Sequence, residues 1–285
     1  MSELDSAALE ARVEALFTQP AADASLSEAR DVVEQLLTAL ETGVLRSAVR
    51  DANGAWNAVP WVKRGILLGF RFGALADLSP AGGVFSFVDK DTYPPQTFGV
   101  ERNVRVVPGG STIRRGAFIA PGVVCMPPMF VNVGAYVGAG TMIDSHALVG
   151  SCAQIGERCH ISAASQVGGV LEPVNASPVV IEDDVMLGGN TGVYEGTVVR
   201  TKAVIAAGVV LTRGTPVYDL VREVVYRGTA DAPLEIPAGA VVVPGARSVK
   251  GGWAAEQGLS LQTPVIVKYR DEKTDLATAL EGWLR

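Results

Sequence analysis

The sequence predicts a mainly β protein in which a three-sided solenoid of short parallel strands follows a helical N-terminal domain. Three observations predict this fold class. Aliphatic residues recur at every sixth position from Ile113 onward, glycine is abundant at 32 of 285 residues, and the earlier part of the chain shows helical spacing instead. The predicted boundaries are a mainly helical α/β domain at 1–104, a coil domain at 105–250, and a small C-terminal strand-and-helix segment at 251–285.

The N-terminal region begins with two predicted helices. Leu9, Val13 and Leu16 fall on one helical face. A second helix is expected to start at Ser25 and Glu28, which form a possible capping box, and to end before Gly43, a natural C-terminal stop.

The rest of this region predicts a hairpin, a helix and a loop. The pair Asn53-Gly54 lies between two apolar runs and is typical of a tight β-hairpin. Residues 61–72 predict a third helix, and 73–100, rich in glycine and proline, predict a loop.

The six-residue period is the strongest signal in the chain. Its first run holds ten consecutive positions, nine aliphatic and one cysteine: Ile113, Ile119, Cys125, Val131, Val137, Ile143, Val149, Ile155, Ile161 and Val167. After Pro173–Pro178 the pattern resumes two residues out of step: Ile181, Leu187, Val193, Val199, Ile205, Leu211 and Val217, and later Ile236 and Val242.

A strict period of six fits neither an α-helix nor an ordinary alternating strand. Each step supplies one short strand whose aliphatic residue points inward, and one corner. Glycine three residues after the aliphatic position, as at Gly116 and Gly134, suits the corner because it adopts backbone conformations that other residues resist. Three steps close a triangular turn, and stacked turns share one core.

Composition and charge exclude several classes of function. The net charge is −6 with no basic stripe, which argues against nucleic-acid binding. No apolar run is long enough for a membrane span, and the N-terminus does not resemble a secretion signal. Cys125, Cys152 and Cys159 are an odd number at no zinc-site spacing, so we expect reduced thiols, a cytoplasmic protein and no metal.

Several strings resemble one family, the tetrahydrodipicolinate N-succinyltransferases of the hexapeptide-repeat acyltransferase superfamily. The resemblance covers about residues 28–274. The matching strings are Arg105-Val-Val-Pro108, Arg114-Arg-Gly-Ala-Phe-Ile-Ala120, Asn132-Val-Gly-Ala-Tyr136, Gly140-Thr-Met-Ile-Asp144, Val149-Gly-Ser-Cys-Ala-Gln-Ile-Gly156, Gly168-Gly-Val-Leu-Glu-Pro173 and Val265-Ile-Val-Lys268.

The resemblance implies a left-handed parallel β-helix and a homotrimer with active sites between neighbouring coils. It implies transfer of succinyl from succinyl-CoA to the amine of tetrahydrodipicolinate, in lysine and diaminopimelate biosynthesis, by direct attack on the thioester. The small-molecule acceptor is a dicarboxylate, so cations are expected to clamp it.

The resemblance also carries over particular residues. Asp144 matches an aspartate that contacts the acceptor and is a proposed base, and Arg105 matches an arginine that binds an acceptor carboxylate. Arg114 is a second match, which either serves the other carboxylate or covers the coil edge. Ser151 and Gly168 match positions near the acceptor, although tight coil turns would require them equally.

One departure affects the mechanism. The family's best-known form carries Ser-Glu-Val-Val-Glu-Gly, and its first glutamate is a proposed catalytic partner of the aspartate. This chain reads Thr191-Gly-Val-Tyr-Glu-Gly196, so Gly192 replaces the first glutamate and Glu195 matches the second. Either Glu195 takes part in catalysis, or Asp144 acts with backbone groups, or a histidine helps. The sequence leaves Asn190, His146 and His160 open as further participants.

For coenzyme A, basic residues of the later coils are candidates for the phosphates. We expect Lys202, Arg213 and Lys250 to bind the cofactor, with Arg247 and Lys268 as weaker candidates. Residues 245–258 resemble a flexible flap that could fold over the pantetheine arm.

Three alternatives remain at this point. An acetyl-CoA-dependent hexapeptide acyltransferase acting on the same or a related amino dicarboxylate would show the same repeat. A zinc enzyme on this fold would need three histidines, and the chain has two. A non-catalytic solenoid scaffold would lack coenzyme A affinity.

Overall fold

The computed structural model describes residues 5–271. The final helix of the predicted C-terminal segment therefore lies outside the described residues. Among the described residues, no helix is long and apolar enough to cross a membrane.

The N-terminal domain contains the three predicted helices: α1 is Ser6–Thr18, α2 is Leu26–Glu41 and α3 is Pro60–Phe72. The Ser25 side chain accepts from the Glu28 amide at the start of α2, which confirms the predicted cap on that side. Gly43 adopts a positive φ of 73° just after α2, as a helix-ending residue does. The helices bury a shared apolar core that includes Val13, Leu36 and Ile66.

Two short hairpins complete this domain. Ala48–Arg50 pairs antiparallel with Trp56–Ala58, which confirms the predicted hairpin. Leu75–Asp77 pairs with Val88–Lys90, so the prediction of a plain loop over 73–100 was wrong in this part. These strands are only three residues long, and glycine and proline between them masked the pairing in the sequence.

The coil domain is built from three stacks of parallel strands, which we call sheets I, II and III. Sheet I holds Thr112–Ile113, Phe130–Val131, Leu148–Val149, Gln166–Val167, Gly192–Val193 and Val210–Leu211. Sheet II holds Phe118–Ile119, Tyr136–Val137, Gln154–Ile155, Val180–Ile181, Val198–Val199 and Glu235–Ile236. Sheet III begins with Arg105–Val106, Val124–Cys125, Met142–Ile143, His160–Ile161, Met186–Leu187 and Val204–Ile205.

Successive strands along the chain enter sheets I, II and III in rotation, and each pairs with the strand one full turn away. Val137, for example, lies between Ile119 and Ile155 in sheet II. Every predicted aliphatic position from Ile113 to Val242 is buried in one continuous core. The inward ladder that the period of six predicts is therefore confirmed. Outward side chains, one residue before or after each inward position, form the surfaces of the three sheets.

The helical domain is attached to sheet II and to the corner between sheets I and II. The Ser47 hydroxyl donates to the carbonyls of Gly134 and Cys152 at that corner. Val133 and Cys152 belong to the same apolar cluster as the N-terminal helices.

The last part of the chain extends sheet III. Ala240–Ser248 pairs antiparallel with Ser260–Tyr269, and a short helix, α4 at Gly252–Glu256, lies between them. Val217–Asp219 pairs with both Val224–Tyr226 and Ser260–Tyr269. The expectation of a flexible flap from residue 245 was wrong for 245–248, which continue a regular strand, and this hairpin crosses the predicted boundary at residue 250.

Candidate functional site

The outer surface of sheet I carries two adjoining cavities. One, of about 500 Å³, lies between the first strands of sheet I and the segment that leads into Val88–Lys90. The other, of about 450 Å³, continues over the next turns toward Leu148 and Gln166. Thr112 and Phe130 line both cavities, so together they form one depression along the sheet, which we call the sheet I groove.

Arg114 lines the lower part of this groove. Its guanidinium pairs with the carboxylate of Asp89 and donates to Asn132 Oδ1 at 3.2 Å. It also lies over the rings of Phe70 and Tyr93, at 5.5 and 5.7 Å from their centroids. An internal carboxylate thus engages Arg114, and an acceptor carboxylate would have to share or displace Asp89 to bind it.

Ser151 and Gly168 lie along the corner between sheets I and II, on successive turns. The Ser151 residue is only 8% exposed, and its carbonyl accepts from the Val170 amide at 3.1 Å. A Cβ on Gly168 would lie 2.7 Å from Tyr194 Cδ1, and one on Gly169 would lie 2.1 Å from the Ser151 nitrogen. Close stacking of turns therefore requires glycine at 168 and 169, whatever part Gly168 plays with substrate.

Glu195 and Arg213 lie along the same corner, one and two turns beyond Gly168, and they contact each other. Glu195 Oε2 accepts from the Arg213 amide at 3.1 Å. Both line a cavity of about 330 Å³ with Val170, Pro173 and Ala176, from the stretch that interrupts the repeat. Within the described part of the chain, Arg213 Nε is buried without a hydrogen-bond partner. This cavity combines an apolar wall with a cation, which suits an acyl or pantetheine chain next to an anion.

Asp144 and His146 lie at the opposite edge of sheet I, at the corner that leads from sheet III. Asp144 is half-buried, and its Oδ1 accepts from the Ser145 amide at 2.7 Å. His146 is exposed and lines the upper part of the sheet I groove. Asn190 occupies the same corner two turns further on, and both His146 and Asn190 have positive φ, at 62° and 56°.

The structure therefore does not join Asp144 and Glu195 within one chain. They lie at opposite edges of sheet I and two turns apart, about 10 Å along the coil axis at the usual strand spacing. The corner between sheets I and II carries Arg114, Ser151, Gly168, Glu195 and Arg213. Asp144 lies at the corner between sheets III and I, which also carries His146 and, two turns further on, Asn190.

The remaining predicted residues lie elsewhere. Arg105 is exposed in the first strand of sheet III, whose surface also carries His160 three strands further along the stack. Lys202 is exposed at the corner between sheets II and III, and Lys250 is exposed just after Ser248. None of these four lines the sheet I groove or the cavity at Glu195.

Sequence reasoning missed the groove residues Thr112, Phe130 and Gln166, and the counter-ion Asp89. The first three share a simple signal, because each directly precedes an inward aliphatic residue of sheet I and so must point outward. Asp89 had no comparable signal, because a strand outside the repeat brings it to Arg114. Residues 5–271 contain no group of three or more side chains arranged to hold a metal ion.

Comparison with known proteins gives the family. The model described as "Tetrahydrodipicolinate N-succinyltransferase N-terminal" matches residues 8–72, and that described as "Hexapeptide repeat of succinyl-transferase" matches residues 178–213. A 2,3,4,5-tetrahydropyridine-2,6-dicarboxylate N-succinyltransferase of Rhodopseudomonas palustris is 42% identical over 286 residues, covering 98% of each chain. The protein of that name from Nitrobacter winogradskyi is 40% identical over 99% of this chain and 100% of its own.

A solved structure supports the fold. It is a Campylobacter jejuni protein under the name 2,3,4,5-tetrahydropyridine-2-carboxylate N-succinyltransferase, with a TM-score of 0.51 and 17% identity. The match covers 83% of this chain and 62% of the solved one. Given full-length relatives at about 40% identity, this chain belongs to the tetrahydrodipicolinate N-succinyltransferase family.

Proposed function

We propose that this protein transfers the succinyl group of succinyl-CoA to the amine of tetrahydrodipicolinate, in lysine and diaminopimelate biosynthesis. The observation that carries the proposal is identity of 42% with a succinyltransferase of that specificity over 98% of both chains. The outer surface of sheet I supports it, because Arg114 lines its groove and Asp144 and Glu195 lie at the two opposite edges of the sheet.

The proposed reaction needs no covalent enzyme intermediate. Water first adds across the ring C=N bond of tetrahydrodipicolinate, which places a hydroxyl on carbon and a proton on nitrogen and so makes the nitrogen an amine. This nitrogen attacks the thioester carbon, and its lone pair becomes the new C–N bond while the carbonyl π pair moves to oxygen. Collapse of this tetrahedral species breaks the C–S bond and releases coenzyme A thiolate. The proton on nitrogen passes to a base, for which we propose Asp144.

The position of the Asp144 carboxylate relative to the acceptor nitrogen decides whether it can take the proton. The hydrogen bond from the Ser145 amide orients one oxygen and leaves the other available to the amine. Arg105 and Arg114 are proposed to hold the acceptor carboxylates, and Ser151 and Gly168 to border it. Arg213 is the best-supported coenzyme A contact, with Lys202 and Lys250 as outer contacts.

We also propose that the coil winds left-handed and that the active form is a homotrimer. Separation of Asp144 and Glu195 within one chain supports assembly, since a neighbouring copy could bring its Glu195 to the Asp144 edge. Exposed valines such as Val210, at 44% exposure on sheet I, are suited to burial against that copy. Threefold cyclic association forms a closed ring in which every copy of the interface surface is paired.

We propose three domains, at 1–104, 105–250 and 251–285. The strand of the third domain pairs with sheet III. A cytoplasmic location is supported by three buried, unpaired thiols, Cys125, Cys152 and Cys159.

The deciding experiment measures coenzyme A release by purified protein with tetrahydrodipicolinate and either succinyl-CoA or acetyl-CoA. We expect a strong preference for succinyl-CoA. Asp144→Asn should lower kcat by roughly 10²- to 10⁴-fold, because it removes the base and keeps the shape. Glu195→Gln run in parallel reports whether the second carboxylate takes part.

Gel filtration of Asp144→Asn is the control, since the variant should keep the wild-type assembly state. Wild-type turnover in Asp144→Asn would exclude Asp144 as the base. Equal or better turnover with acetyl-CoA would exclude the succinyl specificity while leaving the acyltransferase class intact.

A further inference from the structure

Tyr194 occupies an unusual place on sheet I. It directly follows the inward residue Val193, so its side chain lies on the outer surface, next to Gly168 on the preceding turn. A Cβ built on Gly192 would lie 2.5 Å from Tyr194 Cε2 and 3.0 Å from its hydroxyl oxygen. A Cβ built on Gly168 would lie 2.7 Å from Cδ1 of the same ring.

These distances describe a phenol ring lying flat across two glycines. The ring starts over Gly168 and runs back along the strand, so the hydroxyl ends where a side chain on residue 192 would begin. Gly192 is buried although it points outward, because the Tyr194 ring covers it. Any side chain at residue 192 would need the ring to move.

The same two positions differ from the family string together. Glutamate is replaced by Gly192, and the valine two residues later is replaced by Tyr194. The two changes fit sterically, since glycine provides the space that the phenol ring fills. One polar group is therefore lost from residue 192, and another is placed at nearly the same point from residue 194.

We propose that the Tyr194 hydroxyl takes the place of the missing carboxylate and contacts the acceptor. This inference rests on the proposed function. A phenol hydroxyl can donate a hydrogen bond, whereas an ionised carboxylate only accepts one. Tyr194 therefore donates to an anionic oxygen of the bound dicarboxylate, and the acceptor amine relies on Asp144 for proton transfer.

The first test is Tyr194→Phe, which keeps the ring over both glycines and removes only the hydroxyl. Loss of one hydrogen bond to a charged group should lower kcat/KM for tetrahydrodipicolinate by roughly 10- to 100-fold. The KM for succinyl-CoA should stay unchanged. A merely structural role for the hydroxyl would not lower kcat/KM for the acceptor while leaving the KM for succinyl-CoA as it is. Tyr218→Phe, on a strand of the sheet III extension, is the matched control and should leave both constants unchanged.

The second test exchanges the two side chains. Gly192→Glu alone should lose most activity, because its Cβ meets the Tyr194 ring. The double variant Gly192→Glu with Tyr194→Val removes that clash and brings residues 192–196 to the family's Glu-Val-Val-Glu-Gly. It should recover most of the acceptor kcat/KM, a strongly non-additive result.

Unchanged acceptor kcat/KM in Tyr194→Phe would overturn the proposal, as would a double variant no better than Gly192→Glu. Both results presuppose an active wild type. If the wild-type protein itself does not succinylate tetrahydrodipicolinate, the proposed function fails first, so the two failures are distinguishable.

Discussion

At the scale of single residues, the corners of the coil explain why candidate side chains occur where they do. At most corners, the position three after the inward residue adopts a positive φ, whether it is glycine, as at Gly134, or another residue, as at His146, Asn190 and Lys202. This conformation costs a residue with a Cβ about 1–2 kcal/mol relative to the ordinary helical region. A histidine at such a position therefore does not stabilise the backbone conformation better than glycine would.

His146→Gly separates the two roles of this residue. We expect it to be as stable as the wild type or up to about 1 kcal/mol more stable, because it relieves the positive φ. Turnover should stay near that of the wild type, since we assign the proton to Asp144. Urea unfolding and steady-state kinetics measure these effects, with His146→Ala as the control that keeps the strained backbone.

A fall in turnover of about 10²-fold or more in both His146 variants, at unchanged stability, would instead identify His146 as the base.

At the scale of elements, one carboxylate links the N-terminal hairpin to sheet II. Glu182 is only 7% exposed and accepts from Trp56 Nε1 at 3.0 Å, Arg200 Nη1 at 2.8 Å and the Thr201 amide at 3.0 Å. Burial alone would raise the pKa of Glu182, but the hydrogen bonds from Trp56 and Arg200 outweigh it and hold the pKa below its usual 4.5.

This pKa direction predicts how stability responds to acid. A carboxylate whose pKa is lowered by folding stabilises the protein fully above its unfolded pKa, near 4.5 here. Its contribution is lost as pH falls from there through the folded pKa. We therefore expect Glu182→Gln to lower the free energy of unfolding at pH 7 and to flatten its decline below pH 4.5, measured by urea unfolding across that range.

Glu10→Gln, which removes an exposed carboxylate on α1, is the control and should keep the wild-type acid profile. A Glu182→Gln protein whose stability declines in acid as steeply as the wild type would contradict the role assigned to this network.

At the scale of the whole molecule, the proposed trimer concerns how the two candidate carboxylates come together. Asp144 and Glu195 lie at opposite edges of sheet I, so a site that uses both must be shared between subunits. The trimer proposal therefore predicts that two different variant subunits can complement each other, which a site within a single chain does not predict.

If Glu195→Gln also proves inactive, mixing the two single variants tests this sharing. Asp144→Asn and Glu195→Gln subunits, unfolded and refolded together in equal amounts, should regain about a quarter of wild-type activity, because one site in four then receives both intact carboxylates. Each variant refolded alone is the control. No recovery in mixed trimers of confirmed composition would show that the two residues do not act in one shared site.

The periodic features were predictable from the sequence because they depend on neighbours along the chain. The inward ladder from Ile113 to Val242 follows from steric repetition, and the cap at Ser25 and the hairpin at Asn53-Gly54 follow from local backbone chemistry. Asp144 and Ser151 were identified by resemblance to a family, and the coil alone would not have distinguished them from other corner residues.

The sequence by itself determined the three-sided stacking. A period of six places each inward side chain next to the inward side chains of the turns directly before and after it. Only the tertiary structure decided which outward residues meet. It paired Arg114 with Asp89 from a distant hairpin, placed Glu195 beside Arg213, and laid Tyr194 over Gly192. Such contacts depend on a hairpin outside the repeat and on how separate turns stack in space, and neither leaves a period in the sequence.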